Sequence, residues 1–345
     1  MKKIIYTLAI ESSCDDTSAA ILKNEILLSN VMASQDVHKK YGGVVPELAS
    51  RAHLQNILPV VSEAIRQAGI TKEDIDNISF TRGPGLLGSL IVGVSFAKGL
   101  SLALNKPLVE VNHLHGHILS HFIQSDPDTV REVPKFPFIA LLVSGGHSML
   151  VKVKSTSDFE VLGQSIDDAV GEAFDKCAKV LGLGYPGGPV IDKLAHLGDP
   201  KKFKFAKPHV GDMDFSFSGV KTSLLYFLRD RMKEDQNFIK DNINDICASY
   251  QRTLIDILLK KLSNAVKYTG IKTVAIGGGV SANSELRDSL AKLGKEKGWK
   301  TFIPERRFTT DNAAMIGITG YFKFLEGVTC ELDVTPISRV LNYKL

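Results

Sequence analysis

The chain begins the same way twice. Ile4 to Ile10 reads as a buried-type strand, Glu11-Ser12-Ser13-Cys14-Asp15-Asp16-Thr17 as a polar turn, and Ser18 to Leu22 as a returning strand. Phe138 to Val143, the tight turn Ser144-Gly145-Gly146-His147 and Ser148 to Val153 repeat that opening, although the residues hardly match. Residues 124–137 between them are polar and carry Pro127, Pro134 and Pro137, the composition of a boundary. A length of 345 residues is long for one core. The reading is therefore an α/β chain of two domains, 1–130 and 131–345, each led by a hairpin whose tip can hold phosphate.

Other elements follow from periodicity and punctuation. Helices are predicted over Pro46 to Ala68, Ser89 to Leu104, Asp168 to Leu181, much of Asn242 to Tyr268, Ser284 to Lys297 with Asn283 as cap, and Ala313 to Leu325. Strands are predicted at Ile78 to Thr81, Pro107 to Val111, Thr273 to Ile276 and Thr301 to Ile303. Gly93 and Gly99 inside an apolar helix point to close helix packing.

Charge and cysteine usage narrow the class. Lys+Arg number 42 against 38 Asp+Glu, so a net +4 argues against a dedicated nucleic-acid coat. A local basic patch stays open, with Lys39, Lys40, Arg51, Lys201, Lys202, Lys204, Lys207, Arg306 and Arg307 as its candidates. Cys14, Cys177, Cys247 and Cys330 form no Cys-x-x-Cys pair, which disfavours a zinc knuckle and fits reduced thiols in a cytosol. The apolar start is too short for a signal peptide, and no apolar run approaches the roughly 20 residues of a bilayer span. A cytoplasmic protein without a membrane partner is the expectation.

Chemistry concentrates in Asn112 to His121, which holds His113, His115, His117 and His121. With Asn112 as N-cap, His113, His117 and His121 share one helical face and His115 points away. Two imidazoles one turn apart can bind a transition metal, and a solvated His-rich helix is the competing reading. No Glu follows His113 or His117, so the zinc-protease helix motif is not matched. Asp311, in Thr309-Thr310-Asp311-Asn312 before a helix, has the chemistry to complete a His-His-Asp site, but spacing alone cannot bring it there. Ser144-Gly145-Gly146 can form an anion nest. The run Gly277 to Ala282 can be forced onto a dinucleotide fingerprint with Glu305 as ribose contact, at a position wrong for a first βα unit. Asp15, Asp16, Asp167, Asp168, Glu172 and Asp175 form two acidic clusters for which capping is a sufficient reason.

Taken together, Ala9 to Thr17, Tyr41 to Arg51, Asn112 to His117, Leu142 to His147, Gly171 to Lys176, Tyr185 to Pro189 and Gly277 to Asn283 resemble the TsaD (Gcp/YgjD, Kae-type) family nearly end to end. The resemblance implies an actin/Hsp70/sugar-kinase (ASKHA) fold with nucleotide and metal in the interdomain cleft. It also implies the activity of a tRNA N6-adenosine threonylcarbamoyltransferase. Such enzymes move the threonylcarbamoyl group of threonylcarbamoyl-AMP to N6 of the adenosine 3′ of the anticodon, in tRNAs reading codons that begin with A. By the same resemblance His113, His117 and Asp311 hold one divalent metal, iron(II) first with zinc or magnesium as alternatives. Leu142, Val143, Ser144, Gly145, Gly146, Asp175, Gly188, Asp192 and Asn283 contact the nucleotide. A TsaB-type paralogue and a TsaE-type ATPase are the implied partners, and Asp15 is the candidate acceptor of the amine proton. Rival readings are a small-molecule kinase on the same fold, which leaves the histidines unexplained, a metalloprotease, and a non-catalytic scaffold.

Overall fold

A computed structural model describes residues 3–35, 38, 41–126 and 129–339. Lys39 and Lys40 of the candidate basic patch, and Pro127, lie outside them. Two compact units emerge. The first comprises residues 1–134, 155–158 and 304–345, and the second 135–154 and 159–303. The division thus falls close to residue 130, but it corrects the expectation that everything after it belongs to one domain. Residues 304–339, Asp311 among them, pack with the first unit.

In the first unit, β1 (Tyr6–Glu11) pairs antiparallel with β2 (Thr17–Lys23), and β2 with β3 (Ile26–Ala33). On its other side β1 pairs parallel with β4 (Asn77–Gly83), which pairs parallel with β5 (Leu108–Asn112). The sheet order is β3-β2-β1-β4-β5. Helix α1 (Pro46–Ala68) starts on a proline, whose fixed φ and missing N–H suit the first turn, and stops at Gly69 with φ 67°. It packs with α2 (Leu87–Leu104) and buries Ile57, Val61 and Ala64 in a core with Leu8, Ile10, Ile21, Ile78 and Phe80. By length and mean hydropathy, 1.7 over 18 residues, α2 comes nearer to a membrane span than the sequence reading allows. It is a core helix on one side only, packing on α1 and β4.

The second unit repeats this plan. Hairpin β6 (Phe138–Val143) and β7 (Ser148–Val153) continues antiparallel into β8 (Phe159–Gln164). On the far side, β9 (Thr273–Gly277) and β10 (Lys300–Phe302) add in parallel, giving the order β10-β9-β6-β7-β8. Both sheets therefore join three antiparallel strands to two parallel ones in the same connectivity. The helices are α4 (Val170–Val180), α5 (Gly187–Ala195), α6 (Ser218–Glu234), α7 (Phe238–Thr269) and α8 (Ser284–Lys297). The first unit also holds α3 (His113–Leu119) and α9 (Ala313–Leu325), which packs on β1, β2 and β4.

Two glycines of α2 separate packing from tolerance. A Cβ on Gly93 would lie 2.1 Å from Ser12 Oγ, whereas one on Gly99 would meet nothing within 4 Å. Only Gly93 bears out the close-packing reading. Gly93→Ala is expected to cost about 1–3 kcal/mol through overpacking. Gly99→Ala is expected to add about 1 kcal/mol through helix propensity. Urea unfolding of the two variants checks this, and equal shifts would refute it.

The β1–β2 turn supplies a second test. Burial, then the neighbouring Asp15 charge, push the Asp16 carboxyl up to about 6 against a hydrogen bond from Ser34. A raised carboxyl stabilises the fold fully only below its unfolded value, and that contribution is lost as pH rises through about 6. Asp16→Asn should therefore raise Tm at pH 8, by an amount equivalent to about 1 kcal/mol after solvent screening, and leave it unchanged near pH 4. A difference in Tm that is flat with pH would contradict this assignment.

Candidate metal centre and nucleotide loops

Helix α3 forms where its cap predicts. Asn112 Oδ1 accepts from Leu114 N at 2.8 Å, and the helix begins at His113. It is shorter than the histidine periodicity suggests, because Ser120–Phe122 tighten into a 3-10 turn. His121 falls in that turn and is not among the clustered donors, so the three-histidine face does not become a three-histidine site. His115 is half-buried near Lys323, and desolvation followed by that charge presses its pKa down to about 3.

Asp311 reaches the helix through α9. Asn312 caps α9 by accepting from Met315 N, while Ala313 N donates to Ser18 Oγ on β2, fixing the loop against the sheet. At Gly116 a Cβ would stand 3.1 Å from Met315 Cγ and 3.2 Å from Ile316 Cδ1, so α3 and α9 approach closely there. The outcome is a cluster of His113, His117 and Asp311 whose ligand atoms all lie within 4.8 Å of one another. Asp311 Oδ1 is 3.4 Å from His113 Nε2 and 3.2 Å from His117 Nε2.

The donor set fits a cation. Two donors each about 2.1 Å from one ion stand about 3.0–3.4 Å apart at octahedral to tetrahedral angles, which brackets both separations. His117 is fully buried, and neither of its ring nitrogens has hydrogen-bond geometry to any partner. Buried polar atoms are rarely left so, and a metal is one of the few groups that resolves it.

Glu11 is the site residue the sequence reading passes over. It ends β1 fully buried, accepting from Ser13 N at 2.5 Å, Thr81 Oγ1 at 2.5 Å and His113 Nδ1 at 3.1 Å. A proton on Nδ1 aims the Nε2 lone pair at Asp311, the carboxylate-histidine arrangement that orients metal ligands. The only signal in the sequence is a charge closing an apolar run. Burial pushes Glu11 up, but the His113 charge and hydrogen bond outweigh it and hold the carboxyl below its ordinary range. Burial alone would depress His113; the charges of Asp311 and Glu11 instead lift it to about 10. Burial holds His117 low, and Asp311, despite burial, sits well below the carboxylate range under the pull of His113. Asp15 occupies the nearby β1–β2 tip, where its charge acts on Cys14 and Asp16.

The remaining predicted residues gather in the second unit. After β6, Ser144 N donates to His147 O at 2.8 Å and leaves Gly145 and Gly146 on an open side, where a Cβ would meet nothing. Gly171 at the start of α4 backs the turn, its would-be Cβ 2.6 Å from Ser144 O. Gly278, at φ 85° and with its would-be Cβ 2.5 Å from Val143 O, joins the end of β9 to the Leu142–Val143 segment. Asp175 Oδ1 accepts from Gly187 N at 2.7 Å beside Gly188. Asp192 and Asn283 are linked through Gln251 and Ser284.

Several other candidates resolve into structure. Asp167 accepts from Phe217 N and Ser216 Oγ at the start of α6, and Asp168 and Glu172 both pair with Lys176. Glu305, forced into a ribose role in the fingerprint reading, packs with the first unit, bonding Ser125, Arg131 and Arg307. Arg51, Lys202 and Lys207 pair with Glu47, Asp245 and Asp256.

The sequence profile of the TsaD family, described as tRNA N6-adenosine threonylcarbamoyltransferase, fits residues 26–318. A protein of that name from Porphyromonas gingivalis is 62% identical over 99% of both chains. Another from Phocaeicola vulgatus is 60% identical over 96% of this chain and 98% of its own. Among solved structures, HypF of T. kodakarensis covers 94% of this chain with a TM-score of 0.63 at 16% identity, a likeness of fold alone. This chain spans about half of that protein, matching 48% of it. The chain belongs to the TsaD family of tRNA N6-adenosine threonylcarbamoyltransferases.

Proposed function

We propose that this chain transfers the threonylcarbamoyl group of threonylcarbamoyl-AMP to N6 of the adenosine 3′ of the anticodon, in tRNAs reading codons that begin with A. The observation that carries this reading, beside the family match, is the convergence of His113, His117 and Asp311 from distant parts of the chain. Those three side chains hold one divalent cation, iron(II) in our reading with zinc and magnesium as alternatives. When bound, the cation supplies Lewis-acid charge for the donor's oxygens.

The chain's own groups do the rest. Gly145 and Gly146, with Leu142, Val143 and Ser144 leading into them, turn backbone N–H groups toward the leaving phosphate. Asp175, Gly188, Asp192 and Asn283 hold the adenosine part of the donor. The adenine amine is a poor nucleophile because its lone pair is delocalised, so the reaction depends on an activated carbonyl and a good leaving group. Asp15, at the tip beside the cluster, is the proton acceptor in this scheme. Transfer is direct: burial, followed by the Asp15 and Asp311 charges, raises the Cys14 thiol and keeps it protonated, and Cys177 and Cys247 are buried.

Partners follow from surface and substrate. Leu54 and Leu58 on α1, and Leu87 and Ile91 on α2, are 67%, 62%, 51% and 46% exposed, each pair one turn apart on helices that pack together. Such an apolar face supports a protein partner, the TsaB-type paralogue in this reading, with a TsaE-type ATPase joining the assembly. A tRNA substrate and four free cysteines support a cytoplasmic location.

His117→Ala should reduce bound metal to background by elemental analysis and abolish tRNA modification while the circular dichroism spectrum is retained. Glu11→Gln should weaken metal binding about 10- to 100-fold. A metal-free His117→Ala protein with full activity would overturn the metal's role. In a quenched single turnover with labelled donor, no label should remain on denatured protein; a labelled side chain would end the direct-transfer reading.

A further inference from the structure

Gln251 lies in α7 with 3% of its surface exposed, and both ends of its amide are in use. Its Nε2 donates to Asp192 Oδ1 at 3.1 Å, and its Oε1 accepts from Asn283 Nδ2 at 2.7 Å. The direction of this bridge is dictated, not chosen. Asn283 Oδ1 caps α8 by accepting from Leu286 N at 3.0 Å, so its Nδ2 must face Gln251. Gln251 must then present oxygen to Asn283 and N–H to the carboxylate. Asp192 is held from the other side as well, by Ser284 N at 3.1 Å and Ser284 Oγ at 2.7 Å. The same hydroxyl lies 2.7 Å from His196 Nε2. Because Ser284 Oγ–H is spent on Asp192, His196 donates to it, which makes this arrangement a brace and not a nucleophile with its base.

Counting partners shows what remains for a ligand. Asp192 Oδ1 already takes two donors, while Oδ2 takes only Ser284 N and keeps an acceptor position. Asn283 spends one Nδ2 hydrogen on Gln251 and keeps the other. One free acceptor and one free donor, held at fixed separation, suit a hydroxyl-bearing ligand that both gives and receives a hydrogen bond. Without the amide between them, the carboxylate would lose a donor and the Asn283 amide would be free to rotate about its cap.

We propose that Gln251 is a positioning residue, which fixes the spacing and hydrogen-bond direction of Asp192 and Asn283 and so sets the affinity for the donor nucleotide. The inference rests on the reading that Asp192 and Asn283 hold that nucleotide. Its test is calorimetric titration of the full chain with AMP, in wild type, Gln251→Met, Gln251→Asn, Asn283→Ala and the Gln251→Met/Asn283→Ala double variant.

Gln251→Met should raise Kd about tenfold or more, the scale of a lost hydrogen bond to a charged group. Gln251→Asn, one methylene too short to span both partners, should do the same, and it carries the test if the Met variant fails to fold. Metal content should match wild type in both. In the Asn283→Ala background, Gln251→Met should add less than about twofold, because residues acting through one network are not additive. Wild-type affinity in both Gln251 variants, with weak binding by Asn283→Ala, would overturn the positioning role alone. Full additivity in the double variant would also overturn it. Wild-type affinity in Asn283→Ala would remove the nucleotide reading of that loop, and the inference with it.

Discussion

The first unit is built around a buried charge. Glu11 closes β1 with no exposed surface, and a carboxylate taken out of water without partners costs several kcal/mol. Each of its partners comes from a different place: the backbone of the following turn at Ser13, Thr81 on β4 and His113 on α3. One side chain thus ties the hairpin, the neighbouring parallel strand and the histidine helix into a single arrangement. Asp311 then places a second negative charge beyond the same imidazole. Two carboxylates around His113 demand positive charge between them, and His113 provides it by retaining a proton to about pH 10. A cation at the Nε2 side would take over that function, so metal and proton compete for one place.

The second unit brings its candidate residues together largely through the backbone. Gly171 and Gly278 allow carbonyls of Ser144 and Val143 to approach closer than any side chain permits, while Gly145 and Gly146 keep the opposite side clear. Asp175 is spent on the Gly187 amide and Asp192 on a brace of Ser284 and Gln251. The two halves share one sheet connectivity and differ in what they gather: clustered imidazoles and carboxylates in the first, glycine turns and amide bridges in the second.

Local signals carry much of this. The helix from Pro46 to Ala68, the hairpin over 138–153 and the caps at Asn112 and Asn283 are written in neighbouring residues, and the structure keeps them. Helix α5 escapes, because Gly187-Gly188-Pro189 reads as a turn until Asp175 captures the Gly187 amide from another helix. Strand β8 escapes too, since its alternation is irregular and its partner strand supplies the order. Of the metal cluster, the spacing of His113 and His117 is legible, whereas the motif resemblance was needed to add Asp311. Glu11 stays hidden, because its role depends on Thr81 and His113, both far along the chain. The same holds for the last segment, whose return to the first unit is a matter of tertiary packing and not of any residue near the boundary.

That return has a consequence for how the protein comes into being. A chain emerging from the ribosome has made both imidazoles and Glu11 long before Asp311 appears, and domains generally form in order of synthesis. Helix α9 also covers β1, β2 and β4, so the first sheet lacks a covering layer over the same interval. The second unit can complete its own core first, since its residues end at Ile303. The half that is begun first is therefore finished last, and its candidate ligand set is complete only when its sheet is closed, which would make acquisition of an ion there a late event in the life of the new chain.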